Sequence, residues 1–184
     1  MTTATETQTT TWTIDPTHTE VGFAVRHLMI STVRGRFGAV TGSVTVDESN
    51  PAESKLDVTI DTTSIDTRQE QRDAHLRSPD FFDAAQFPSM RFVSKRIEGD
   101  ITDDFTVTGD LTIRDVTREV TLDVTAEGQG KDPWGNTRAG FSAKGKINRG
   151  DFGLTWNQLL EAGGVAVSDE VKISIETELT KQKA

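Results

Sequence analysis

Apolar and polar residues alternate along most of this chain. Phe105, Val107, Gly109, Leu111 and Ile113 fall on one side of an extended segment, with Thr106, Thr108, Asp110, Thr112 and Arg114 on the other. The next segment sets Val120, Leu122, Val124 and Ala126 against Thr121, Asp123, Thr125 and Glu127. Successive side chains of a strand point to opposite faces, so strict period two gives each strand one dry face and one wet face. The alternation predicts strands around Trp12 and Ile14, near 18–28, over 40–46 and 56–60, then over 90–97, 104–114, 118–128, 137–148 and 170–180. The apolar phase slips between Phe92 and Ile97, which predicts a bulge. Residues 28–34 read as a connector, with Gly35 as a break.

The strand pattern is interrupted once, between Ser64 and Pro88. Residues 68–76 are good helix formers, Asp66 with Gln69 three residues later resembles a capping box, and Pro79 stops the helix. A further turn runs from Asp80 through Phe81, Phe82 and Ala85 to Pro88, and 154–160 reads as another short helix. Long strands in simple meander order favour an all-β, closed antiparallel up-and-down barrel of about eight strands over a two-sheet sandwich, with one or two short helices near its mouth. About eight strands enclose a space that is either filled by side chains or holds one small ligand. Gly42, Gly109, Ala126, Ala139, Ala143 and Gly145 on the dry faces leave volume there, unless large neighbours interdigitate with them.

Composition narrows the partners. A net charge of -9 over 184 residues argues against a nucleic-acid footprint and against simple electrostatic docking to anionic membranes. With no cysteine, disulfides, thiolate catalysis and zinc–cysteine sites are excluded. No apolar run is long enough for a membrane-spanning helix, so the chain is not expected to be an integral membrane protein. The threonine-rich start has neither a basic region nor an apolar stretch, which predicts a mobile polar tail over 1–10, a single barrel domain over 11–182 and a cytoplasmic location.

Little in the sequence points to catalysis. There is no G-x-S-x-G elbow, and His18, His27 and His75 lie at no metal-ligand spacing, so no catalytic residue, metal or cofactor is expected. Arg68, Arg72, His75 and Arg77 gather potential cations in an acidic chain; Arg68 and Arg72 share a helical face, as do Arg72 and His75. Either neighbouring carboxylates pair with them or they form an anionic head-group site at the barrel mouth. Phe81, Phe82 and Phe87 read as a hydrophobic plug.

These residues also carry a likeness. The run from Arg72 to Asp83, followed by Phe87-Pro88 and Phe92, resembles the signature of the YceI-like family. So do Trp12-x-Ile14-Asp15-Pro16-x-His18-Thr19, Gly109-Asp110-Leu111-Thr112-Ile113, Gly140-Phe141, Ile147-Asn148-Arg149-x-Asp151-Phe152-Gly153 and Ser168-Asp169-Glu170-Val171. The likeness extends over about 11–180. It departs from the family pattern at Arg68-Gln69, where polar Gly-Asn is common, and at Asp115, where glycine is usual in a tight turn.

The resemblance implies a lipocalin-like barrel that holds a polyisoprenoid, an isoprenoid-quinone-type lipid or a similar amphiphile, without catalysis. Phe23, Val25, Val44, Leu111, Ile113, Phe141 and Ile147 are the expected cavity lining, and Arg68, Arg72 and His75 the head-group candidates. Two rivals remain open: an enzyme acting on lipid inside the barrel, and a solid barrel working through an outer partner. A homodimer is also left open.

Overall fold

The structure is a computed structural model that describes residues 8–184; most of the expected tail lies outside the described residues, and its last two positions, Thr9 and Thr10, already belong to a strand. Strands β1 (Thr9–Ile14) and β2 (Glu20–His27) are two halves of one strand broken at Asp15. Strands β3 (Ser31–Phe37) and β4 (Val40–Asp47) are halves of the next, and β5 (Lys55–Asp61) and β6 (Ile65–Asp66) halves of a third. Strands β7 (Ser89–Gly99), β8 (Asp104–Ile113), β9 (Val116–Lys131), β10 (Thr137–Asn148) and β11 (Glu170–Lys181) run unbroken. Each is antiparallel to its predecessor, and β11 closes the ring on β1 and β2. Counted with the broken pairs joined, this is a closed eight-stranded antiparallel barrel in meander order.

Two of the three breaks share one local chemistry, while the third falls at Gly38 and Ala39 between β3 and β4. The Asp15 carboxylate accepts from the Thr17 N–H at 2.9 Å, and the Asp61 carboxylate from the Thr63 N–H at 2.8 Å. Such Asp-x-Thr turns offer the backbone a partner other than the sheet, so the strand bends there. The expected bulge is present in β7, where register shifts between Ser94 and Arg96.

Three readings of the sequence need correction. Residues 31–34 are strand rather than connector, and Gly35 lies inside β3 opposite Phe23. A Cβ at Gly35 would collide with the Phe23 ring, so this glycine marks a close approach and not a break. No helix forms over 154–160. A 3-10 turn at Arg149–Phe152 ends at Gly153, with φ 80°, and the Arg149 side chain takes the carbonyls of Leu154 and Trp156 that a helix would have used. Finally, helix α1 (Glu70–Arg77) has Gln69 as its N-cap, accepting from the Arg72 N–H at 2.6 Å, while Asp66 accepts from the Arg68 N–H instead. The residues after Pro79 form hydrogen-bonded turns, with Asp83 N–H donating to Ser78 O and Phe87 N–H to Asp83 O.

The dry faces form one core with two different halves. Near the β4–β5 and β9–β10 end, Trp12, Ile14, Val107, Val124, Ala139 and Leu179 are buried, and the Phe105 and Phe141 rings meet edge to face at 6.0 Å. This half is solid. Small dry-face residues do not hollow the barrel: a Cβ on Gly109 would lie 2.5 Å from the Val93 carbonyl and against the Phe92 ring, and one on Gly42 would strike the Asp57 carbonyl. Glycine at these positions lets neighbouring strands and rings close in. Gly109→Ala should therefore lower the denaturant midpoint by about 1–3 kcal/mol equivalent at unchanged m-value. An equilibrium urea titration checks this.

Candidate functional site

The other half of the barrel is hollow. A cavity of about 340 Å³ lies under α1 and the 78–88 turns, with apolar side chains on nearly every side. The wall comes from Phe23 and Val25 of β2, Leu111 and Ile113 of β8, Val120 and Leu122 of β9, Ile147 of β10, and Val171, Ile173 and Ile175 of β11. Leu76, Phe81, Phe82, Phe152 and Trp156 roof it. The roof is an aromatic lattice: Phe82 stands edge-on to Phe37 at 5.5 Å, and His75 edge-on to Phe81 and Trp156 at 5.1 and 4.7 Å. Exposed Arg26 and His27 belong to the lining, so the cavity reaches the surface beside the β2–β3 turn.

Of the expected lining residues, Phe23, Val25, Leu111, Ile113 and Ile147 border this space. Val44 and Phe141 do not; both pack into the solid half. The reason is depth along the strand. Alternation identifies the dry face, but each dry face crosses both halves: β8 gives Phe105 and Val107 to the solid end, and Leu111 and Ile113 to the hollow one.

The expected cation cluster is also divided. Arg72 and His75 border the cavity. Arg68 precedes the helix, is exposed, has φ 63° and is not part of the lining. It shares no helical face with Arg72, because the helix starts after it. Arg72 donates from Nε to Thr67 Oγ1 and from Nη2 to the Thr67 carbonyl, both at 2.8 Å. Buried Asp73 accepts from the N–H and hydroxyl of the same Thr67, so the first turn of α1 is locked to the loop before it. Arg77 donates to the carbonyls of Thr63 and Ile65. His75 Nε2 lies 2.8 Å from Asp80 Oδ2.

Sequence reasoning missed Arg149. It is 5% exposed, lines the cavity, and donates to the carbonyls of Leu154, Trp156, Val167 and Ser168. Burial lowers its pKa, although a guanidinium stays charged at any ordinary pH. A single buried cation thus organises the 153–168 loop that completes the roof. The only sequence signal was arginine next to the Asp151-Phe152-Gly153 turn.

A second polar cluster lies away from the cavity, at the β1–β2 break. Arg138 Nη1 donates to Asp15 at 2.7 Å and Glu178 at 2.6 Å, and its Nε donates to Asp132 at 2.8 Å. Ligand atoms of Asp15, His18 and Glu178 lie within 4.8 Å of one another, a grouping able to hold a cation, but Arg138 already donates to both carboxylates. The Thr17 hydroxyl, then His18 and Arg138, hold the Asp15 carboxyl well below the usual carboxylate range against the opposing effect of burial. Arg138 does the same for Asp132.

Two outcomes are expected. Carboxyls depressed in the fold contribute stability above their unfolded pKa, near 4, and lose it as pH falls. Lowering the pH from about 5 to 3 should reduce the urea midpoint, and Arg138→Met should shrink that reduction. Arg149→Met should destabilise the protein by at least about 2 kcal/mol, since buried carbonyls lose their donor. Both are read by urea unfolding, the first as a pH series.

Comparison with known proteins agrees with this architecture. A model of the YceI-like domain matches residues 12–179. Protein YceI of Escherichia coli O157:H7 is 45% identical over 166 residues, 90% of this chain and 83% of that protein. Protein YceI of Salmonella newport (strain SL254) is 43% identical over the same shares. The crystal structure of the Campylobacter jejuni YceI protein matches with a TM-score of 0.72 at 36% identity, covering 86% of this chain and 90% of that one. A polyisoprenoid binding domain from Saccharophagus degradans shares the fold alone, with a TM-score of 0.63 at 14% identity and 93% and 98% coverage. By the family model and the level of identity, the chain belongs to the YceI-like family.

Proposed function

We propose that the protein binds and carries a long-chain isoprenoid or similar amphiphilic lipid in the hollow half of the barrel. The observation that carries this reading is the roofed cavity of about 340 Å³, apolar on nearly every side, in a barrel whose other half is packed solid. Its volume falls within the range of ligand pockets, roughly 300–1,000 Å³. Each methylene buried contributes about 0.8 kcal/mol before entropic losses, so a segment of chain is retained without a covalent bond. The shared fold with a polyisoprenoid binding domain supports the same class of ligand. Arg72 and His75, at the roof, are the groups placed to meet a polar head; Arg72 Nη1 makes no hydrogen bond among the described residues. A cytoplasmic location belongs to the same proposal and is tested by cell fractionation.

Mass spectrometry of organic extracts of the purified protein should recover a polyisoprenoid or isoprenoid-quinone-type lipid, chemically unchanged when resupplied. Recovery of a converted product would favour an enzyme, and lipid-free extracts a barrel without cargo. Leu111→Trp should fill part of the cavity and displace the lipid at nearly unchanged melting temperature, whereas in a solid core overpacking costs typically about 1–3 kcal/mol. Arg72→Ala should weaken an anionic lipid by about 1.5–3 kcal/mol more than its uncharged analogue. Equal losses for both would make Arg72 purely a brace for Thr67.

A further inference from the structure

The rim where the cavity reaches the surface is built unlike the rest of the exterior. The β2–β3 turn places Leu28 and Met29 at φ 51° and 61°, closed by the Ile30 N–H on the His27 carbonyl. Two-residue turns with both central residues left-handed normally carry Asn-Gly, and bulky side chains there cost conformational energy. Arg26 braces the turn, donating to the Met29 carbonyl and the Thr32 hydroxyl. The strain does not serve the core, since Leu28, Met29 and Ile30 are 37%, 55% and 77% exposed. Beside them is the tip of the 157–167 loop, with Leu159 83% exposed and the Leu28 N–H bonded to the Ala166 carbonyl. Two adjoining loops thus present four large apolar side chains to solvent at the cavity rim.

The wall below this tip is basic, although the chain as a whole carries -9. Arg34 and Lys172 flank Ala24 on either side, and Lys146 lies directly opposite Lys172. Lys144 shares the same outer face. Like charges opposed across strands destabilise a sheet. The carboxylates at hand are few: Glu170 is 3.8 Å from Lys146, and Asp123 lies opposite Lys144. From Ala24 to Met29 the chain climbs roughly 10–15 Å, allowing for strand tilt. A lipid head-group layer is roughly 5–7 Å thick. With the apolar tip at the acyl boundary, long lysine side chains on this wall reach lipid phosphates.

We propose that this end of the barrel docks on an anionic lipid bilayer, inserting Leu28, Met29, Ile30 and Leu159 while Arg34, Lys144, Lys146 and Lys172 face the head groups. The inference concerns the outer surface and goes beyond cargo binding. It also refines the expectation from net charge, because charge averaged over the chain conceals a basic face at one end. Glu161 and Asp169 at the same end oppose docking and limit it to membranes rich in anionic lipid.

Flotation with vesicles tests it, comparing phosphatidylcholine alone with an equal mixture of phosphatidylcholine and phosphatidylglycerol. The full chain should float with the mixture and about tenfold less with phosphatidylcholine alone, and added salt should weaken it. Ile30→Asp with Leu159→Asp, and separately Lys146→Glu with Lys172→Glu, should each weaken binding by about tenfold or more at unchanged melting temperature. The substituted side chains are exposed, so folding is retained and verified by the melt. Failure of the full chain to float, or flotation of both variants like the parent, overturns the proposal. So does self-association that the Ile30/Leu159 variant abolishes without any flotation, which would make the occupant a second copy of this chain. Flotation with lipid-free extracts would keep the docking surface and remove the carrier reading.

Discussion

Ring closure by β11 is the constraint on which the rest depends. This strand pairs with β10 along its whole length, with β2 through Lys172–Glu176, and with β1 through Leu179, Thr180 and Lys181. Ring closure gives every strand, with the broken pairs joined, a neighbour on both sides, although the β9–β10 ladder ends at the Asp123–Lys144 pair and leaves residues 145–148 of β10 without β9 partners. That matters because a cavity removes dispersion contacts and costs stability roughly in step with its volume. Cohesion here runs along the wall, through strand-to-strand hydrogen bonds, and through one buried cluster that spans both halves. The hollow half is tolerated because its lining, with Phe92, Leu111, Ile113, Val120 and Leu122, is continuous with the packed side chains of the solid half.

The same constraint explains the arginines. Around the roof, Arg72, Arg77, Arg114 and Arg149 all donate to backbone carbonyls of irregular segments. Apart from Ile65 in β6, these segments lie outside the sheet and have few backbone partners of their own. A guanidinium supplies several donors in a fixed fork, which suits it to holding a loop by its carbonyls. Most of the positive charge near the cavity is therefore construction, and of these four Arg72 alone both borders the cavity and keeps a nitrogen without a hydrogen bond among the described residues.

Much of the fold was legible because period two is a direct consequence of strand geometry. The bulge at Lys95 could be read from a slipped phase, and the meander from long strands in simple order without a long crossover. The family likeness added the chemistry expected of the interior. Depth within the barrel was not legible: Val44 and Phe141 obey the same alternation as Val25 and Ile147, yet they face a filled space. Gly35 misled because glycine in a strand marks either a break or a close approach, and only the position of the Phe23 ring decides between them. Arg68 misled because helix-forming composition extends past the N-cap, where its backbone turns left-handed. The aspartate and threonine at two of the three strand breaks were a usable signal, at Asp15 and Asp61.

The solid floor made by Trp12, Phe105 and Phe141 gives the interior a direction. A tube open at both ends lets cargo pass through, and each molecule that enters can push out the one before it. A blind sack works as a stack: whatever part enters first is the last to leave, and exchange requires a full reversal of loading. A lipid held there, as proposed, would keep the orientation set at entry for as long as it stays inside.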